Sequence, residues 1–254
     1  MTGQDGTTPT TRLSRSTAEA IYYRDLDLVG DVIGQRSFVE IFYRQTIGRD
    51  PTAEQSRMLD AVLVVLMEHG LTPSATAARL VYSSSPENLQ AGVAAGLLAV
   101  GSRFIGTAEG CAALLDEVAA SEVPADAADR LAAEYRKKHE PVPGFGHHIH
   151  RPDDPRSVKL LELAQETGTA GRRQDALVLL AAAVDRHAGK HITINTTGAV
   201  AAILRDIGIP ATLVRGVAVL SRAAGLVAHL AEEQVTPIDR YLWSRMDELI
   251  PFES

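Results

Sequence analysis

The longest apolar stretch of the chain, Pro210 to Ala231, constrains the fold more than any other segment. It is long enough to raise the question of a membrane span. Arg215, Arg222 and His229 interrupt it, and such groups are costly in hydrocarbon. The expectation is a helix of a soluble protein with no membrane partner. The three polar residues are seven apart, so they fall along one helical face. The pattern leaves two readings open. The stripe faces solvent, or the helix is buried and the stripe lines a cleft.

The rest of the chain is compatible with helix packing. It contains 37 alanines, and only 5% of its residues are aromatic. Alanine is the best helix former, and small residues let helices approach closely. An all-α chain of about ten helices is expected from the periodicity. The 45% hydrophobic content suffices for a core without disulfides or a structural metal. The single cysteine, Cys111, excludes an intramolecular disulfide and any cysteine-based zinc cluster. A net charge of -7 argues against non-specific nucleic-acid binding. Residues 1–17 are polar and lack an apolar leader, so they read as a disordered arm on a cytoplasmic protein, with one main domain over 18–254.

Local signals mark the elements. One helix ends near Gly48. Thr52 opens another, with Gln55 completing a capping box, and Met58, Leu59, Val62, Val65, Leu66 and His69 share one face before Gly70. Thr72-Pro73 starts a helix through Tyr82, and Ser85-Pro86 has start chemistry for one running towards Val100. Residues 101–110 read as a glycine-punctuated turn. Helices follow at Cys111–Ala120, Ala125–His139, Ser157–Gln165, Asp175–Ala188, Gly198–Ile207 and Pro210–Glu233. The piece from His191 to Thr197 is the only convincing extended segment.

Between Pro141 and Arg156, proline and glycine are too dense for a regular element, so this is a loop. It holds His147, His148 and His150, then Arg151, Asp153, Asp154 and Arg156. Gly144 and Gly146 permit close approach of backbone N–H groups to a ligand. Histidine moves or donates protons near pH 7, and arginine grips carboxylates in a planar pair. The set suits a substrate with carboxylates beside a reacting carbonyl. Two other readings compete: a zinc site built on the histidines, and a solvated surface loop.

The run Val142-Pro143-Gly144-Phe145-Gly146-His147, followed by Asp154-Pro155-Arg156, resembles the P-G-F-G-H…D-P-R signature of the citrate synthase family. Glu68-His69-Gly70, the Leu220–Leu226 stretch with its S-R-A-x-G pattern, and residues 21–43 resemble further family segments in the right order. The likeness spans roughly residues 20–233 and is nearest to short citryl-CoA lyase-like members and the citryl-CoA-cleaving domain of ATP-citrate lyase. It implies an all-α fold with a large helical domain and an inserted small helical subdomain near 125–210. At 254 residues the chain is short for that fold, implying trimmed surface helices and opening strands.

The resemblance also implies roles. His147 would hydrogen-bond and protonate the reacting oxygen, Arg156 and Arg222 would hold carboxylates, and His69 would complete the pocket. His147 and His69 are thus the candidate catalytic residues. A coenzyme A thioester, as substrate and not as a tightly bound cofactor, would lie along Pro143, Gly144, Phe145 and Gly146. Arg136, Lys137, Lys138 and Arg151 would stand near its phosphates. Substrates would be an acyl-CoA with a 2-oxo acid or citrate. A homodimer is implied, with Arg240 reaching across to the other copy, and no metal.

Two positions depart from the family pattern. Phe104 stands where synthases carry a histidine, and Thr197 stands where they carry a proton-abstracting aspartate. Threonine is no general base near pH 7, and losing a positioned base costs ~10²–10⁴ in rate. Glu109, Asp153 and Asp154 are possible replacements. The leading expectation is an enzyme making or cleaving the bond between an acetyl-CoA-like thioester and a 2-oxo acid. The alternatives are a catalytically impaired coenzyme A and carboxylate binder of the same fold, and a histidine-cluster metal hydrolase.

Overall fold

The computed structural model describes residues 8–101 and 106–253. The chain divides into two compact units, residues 1–57 and 58–254.

In the first unit, β1 (Ser14–Ser16), β2 (Ile21–Tyr23) and β3 (Leu26–Asp27) form an antiparallel meander, with Ser16 opposite Ile21 and Tyr23 opposite Leu26. This corrects one expectation: residues 14–16 belong to a sheet and not to a disordered arm. The polar residues of β1 carry no alternation signal. Their pairing is set by the turn at Thr17, whose Oγ1 accepts the Ala20 amide at 3.0 Å. After a π-helical turn over Leu28–Val32, α1 (Phe38–Ile47) opens on a Ser37/Glu40 capping box and closes on Gly48.

α2 (Ala53–Met67) opens on the expected Thr52/Gln55 box, with Gln55 N donating to Thr52 Oγ1 at 3.2 Å. In the second unit follow α3 (Pro73–Ser84), α4 (Leu89–Leu98), α5 (Gly106–Ala120), α6 (Pro124–Lys138), α7 (Pro155–Glu166), α8 (Arg172–Ala188), α9 (Thr196–Asp206), α10 (Ala211–Val235) and α11 (Asp239–Leu249). The fold is all-α; among the described residues the short strands lie in the first unit, with an isolated bridge between Phe145 and Ile194.

Several boundaries move, each for a local reason. Ser85 bonds Glu87 and closes α3, so Asn88 caps α4 instead. Gly106–Gly110 are helical despite two glycines, because α5 packs against α8, α9 and α10. α9 starts at Thr196, which shortens the extended segment to the residues before its cap, Asn195. α8 begins at Arg172 because Asp206, at the far end of α9, accepts the amides of Gly171, Arg173 and Gln174.

α10 is central to the second unit. Its Leu226 and Leu230 join Ala75, Ala78 and Tyr82 in one apolar cluster, and it also packs against α4, α5 and α9. By length and composition alone it could cross a membrane. Here it buries polar groups among protein neighbours: Arg222 and His229 are each 7% exposed, and Glu233 pairs with buried Arg79 of α3 at 2.5 Å. The open choice about the polar stripe is thereby decided at Arg222 and His229, which face inward.

Candidate active site

An open cleft of about 800 Å³ lies within the second unit. His69, His147, Arg156 and Arg222 all contribute to its wall. They come from the turn after α2, the loop before α7, the first turn of α7 and the middle of α10, so the fold gathers them from sequence separations of up to 153 positions.

Arg156 is held firmly. Asp154, fully buried, caps α7 by accepting the Arg156 amide at 3.1 Å. The same carboxylate accepts Arg156 Nε at 3.0 Å and Nη2 at 2.9 Å. Thr196 adds its amide and its hydroxyl from the start of α9. Burial opposes ionisation of Asp154, but these hydrogen bonds and the guanidinium outweigh it and keep the carboxyl well below the usual carboxylate range.

His147 is oriented by its own loop. Its Nδ1 accepts the amides of Ile149 at 3.1 Å and His150 at 2.9 Å. A neutral ring with Nδ1 accepting carries its proton on Nε2. That nitrogen lies 3.2 Å from Arg156 Nη2, so two donors face each other across the cleft wall. An oxygen between them would satisfy both. His69 Nδ1 meets Arg156 Nη1 at 3.3 Å. Burial lowers the pKa of both histidines. Nearby Arg156 adds to the effect on each, and Arg222 adds to it at His69. Both rings are therefore neutral at pH 7.

Arg222 is different. It is almost wholly buried, and its Nη1 has no hydrogen-bond partner among the described residues. Burial disfavours its charged form, with Glu68 partly compensating. Glu68 is the one carboxylate lining the cleft among the described residues. It accepts the amides of His69 and Gly70 and pairs with His229 Nε2 at 3.0 Å.

The candidate replacement bases are all engaged elsewhere. Glu109 pairs with Arg215 at 2.8 Å, Asp153 with His191 at 3.2 Å, and Asp154 with Arg156. Thr197 does line the cleft. Its hydroxyl donates to Asn195 Oδ1 at 2.7 Å and accepts from Thr107 at 3.2 Å. Phe104 lies outside the described residues.

Of the four loop residues expected beside coenzyme A, Phe145 and Gly146 line the cleft; Pro143 and Gly144 are not part of its lining. Gly144 serves packing. Its φ is 88°, and a Cβ there would meet Cys111 Sγ at 2.6 Å, while a Cβ on Gly198 would meet Gly144 O at 2.5 Å. The Phe145 and Gly146 amides already donate to Val142 O and Thr193 O. Asn195, which sequence reasoning passed over, secures this junction. It caps α9 through Oδ1 and donates Nδ2 to Gly146 O at 3.0 Å. An Asn directly before a helical run is a readable cap signal.

Arg136, Lys137 and Lys138 occupy the last turn of α6, away from the cleft lining, and Arg151 is exposed outside it. Arg240 is exposed on α11 and does not line the cleft of its own chain. The zinc reading finds no support. No group of three metal-ligating side chains converges among the described residues. His147 stacks on His148 with ring centres 4.8 Å apart, and its Nδ1 is already used by two amides.

The family model for the citrate synthase C-terminal domain matches residues 10–242. A solved citryl-CoA lyase from Hydrogenobacter thermophilus is 33% identical and superposes with a TM-score of 0.86, covering 96% of this chain and 93% of that one. The ATP citrate lyase of Methanothrix soehngenii, solved with citrate and coenzyme A, shares the fold at a TM-score of 0.78 and 18% identity, over 91% of this chain and 40% of that one. A citrate synthase of Acidithiobacillus ferridurans is 29% identical over 73% of this chain and 49% of its own length. The chain thus spans about half the length of that curated relative.

Proposed function

Because the chain belongs to the citrate synthase family, we propose that it makes or cleaves the carbon–carbon bond between an acetyl-CoA-like thioester and a 2-oxo acid such as oxaloacetate. Citryl-CoA is the molecule that joins the two halves, and its cleavage is the favoured direction. The likeness to a citryl-CoA lyase over nearly that protein's whole length supports this choice.

The observation that carries the reading is the unpaired, buried Nη1 of Arg222 in a cleft shared with Arg156, His147 and His69. A buried cation without a counter-ion is costly, by roughly several kcal/mol. A substrate carboxylate would relieve that cost. Arg156, oriented by Asp154, would take a second carboxylate or share the first. His147, neutral with its proton on Nε2, would donate to the oxygen that alternates between ketone and alkoxide. Such a donor strengthens as charge develops, and removing one costs ~10²–10³ in rate. His69 would close the same end of the pocket. The thioester would approach along Phe145 and Gly146, as a substrate and not as a resident cofactor.

Thr197 favours a second reading, a coenzyme A and carboxylate binder without turnover. Its hydroxyl is committed to Asn195 and Thr107 and cannot take a proton from a thioester methyl near pH 7. Purified protein mixed with citryl-CoA should release acetyl-CoA. No release, together with tight coenzyme A binding by calorimetry, selects the second reading.

The working form is a homodimer in this reading. α11 leaves Tyr241, Trp243 and Leu249 64%, 83% and 69% exposed, apolar side chains that a second copy would cover. Arg240 sits on the same helix and in this reading would serve the other copy's cleft. Light scattering should give twice the chain mass.

A further inference from the structure

Glu68 and His229 take no part in the chemistry above, yet they sit beside the group that carries it. Glu68 lies over Gly225 of α10, where a Cβ would fall on the Met67 carbonyl oxygen and within 3.4 Å of Glu68 Oε2. Gly225 stands three residues after Arg222 and four before His229 on the same helix. The carboxylate is therefore placed between two nitrogen bases that both attract it. It pairs with His229 at 3.0 Å and makes no ion pair with Arg222, although its charge is felt there.

The local backbone explains that choice. Glu68 folds back on its own chain and accepts the His69 amide at 2.7 Å and the Gly70 amide at 2.5 Å through Oε1. Gly70, with φ 72°, supplies the turn that brings both amides to one oxygen. His229 Nε2 then holds the carboxylate from the other side. The ring's Nδ1 is buried and without a partner among the described residues, so Glu68 is the ring's polar anchor as much as the reverse. Had the carboxylate turned towards Arg222, it would occupy the guanidinium that a substrate carboxylate needs.

We propose that His229, with the His69 and Gly70 amides, keeps Glu68 off Arg222 and so keeps the carboxylate receptor open. His229 and Glu68 are positioning residues acting through Arg222. The inference rests on the carboxylate-binding reading of the cleft, but its first test does not.

The ligand-free crystal structure of His229→Leu decides the geometry. The Glu68 carboxylate should move to within 4 Å of the Arg222 guanidinium. If this variant does not fold, His229→Asn, whose shorter amide does not span the gap, serves the same comparison. Calorimetric titration with citrate gives the consequence: about tenfold or greater weakening in His229→Leu. Glu68→Gln/His229→Leu should recover affinity, and His229→Gln, which retains a donor, should weaken binding less than His229→Leu. In turnover the single variant should raise KM far more than it lowers kcat. Glu68 still on its two amides in the variant, or citrate affinity within twofold of wild type, overturns the inference. A wild-type protein that binds neither citrate nor oxaloacetate overturns the functional reading instead, and the variant structure still decides the placement of Glu68.

Discussion

The two arginines of the cleft are built in opposite ways. Arg156 stands at the start of a helix with its charge matched by buried Asp154, and both are tied to α9 through Thr196. Arg222 stands in the middle of α10, more deeply buried, with an unpartnered Nη1. One wall is preorganised by internal hydrogen bonds that offset the cost of burying the Asp154 carboxylate. The other holds a charge with no ion-pair partner among the described residues, and Glu68, whose charge it feels, is tied elsewhere. A protein that needed only stability would not leave a guanidinium in that state. The contrast separates residues that set the shape of the site from the residue that waits for a ligand.

Substitutions can break that contrast, because they should move stability in opposite directions at the two arginine walls. Arg222→Leu should lower the citryl-CoA cleavage rate by about 10²–10⁴, the range for truncating one side of a buried charged contact. The same variant should melt no lower than wild type, and calorimetric Tm checks this, since it removes an unpaired buried charge. His147→Ala should lose about 10²–10³ in rate with little change in citrate affinity, as expected for a donor that matters most when charge develops on oxygen. Steady-state kinetics with separate kcat and KM shows the split.

Asp154→Asn is the mirror experiment on the first wall. It leaves half-buried Arg156 without its counter-ion and should cost about 1.5–3 kcal/mol in urea unfolding. The sign with pH follows from the lowered carboxyl pKa. The stabilisation is fully present above the ordinary carboxylate range and is lost as pH falls through and below it, so the gap between variant and wild type should narrow in acid. Activity has its own acid limit. His147 and His69 must be neutral, and both titrate below the ordinary histidine value. The wild-type rate should hold down to about pH 6.5 and fall only at more acid pH. Thr197→Asp should give the smallest change. Condensation activity should rise, by on the order of tenfold, with a small loss of Tm because the new carboxylate faces Asn195 Oδ1.

Much of this was legible in the sequence where the signal is local. The Thr52/Gln55 box and the helix over the apolar stretch follow from side chains within a few residues of one another, whereas the loop expected over Pro141–Arg156 ends earlier, because Asp154 caps α7 and Pro155 opens it. The four polar residues of the cleft were legible only through family motifs, because nothing local brings His69 to Arg156. What escaped was set at a distance. The cap of α8 comes from Asp206 on α9, and β1 is a strand only because β2 pairs with it. α11 has the spacing Leu242, Met246, Leu249, with Leu242 half-buried and Met246 and Leu249 exposed, so its periodicity marks no fully buried face. Within the site, the engagement of Asp154 with Thr196 and of Glu68 with His229 depends on helix placement, so no spacing rule would have found it.

The most direct test is a crystal structure with oxaloacetate or citrate and coenzyme A bound. A ligand carboxylate should lie on Arg222 Nη1, with the keto or hydroxyl oxygen at His147 Nε2 and the thioester side at Phe145 and Gly146. A ligand bound elsewhere, or one that leaves Arg222 Nη1 without a partner, would contradict the account.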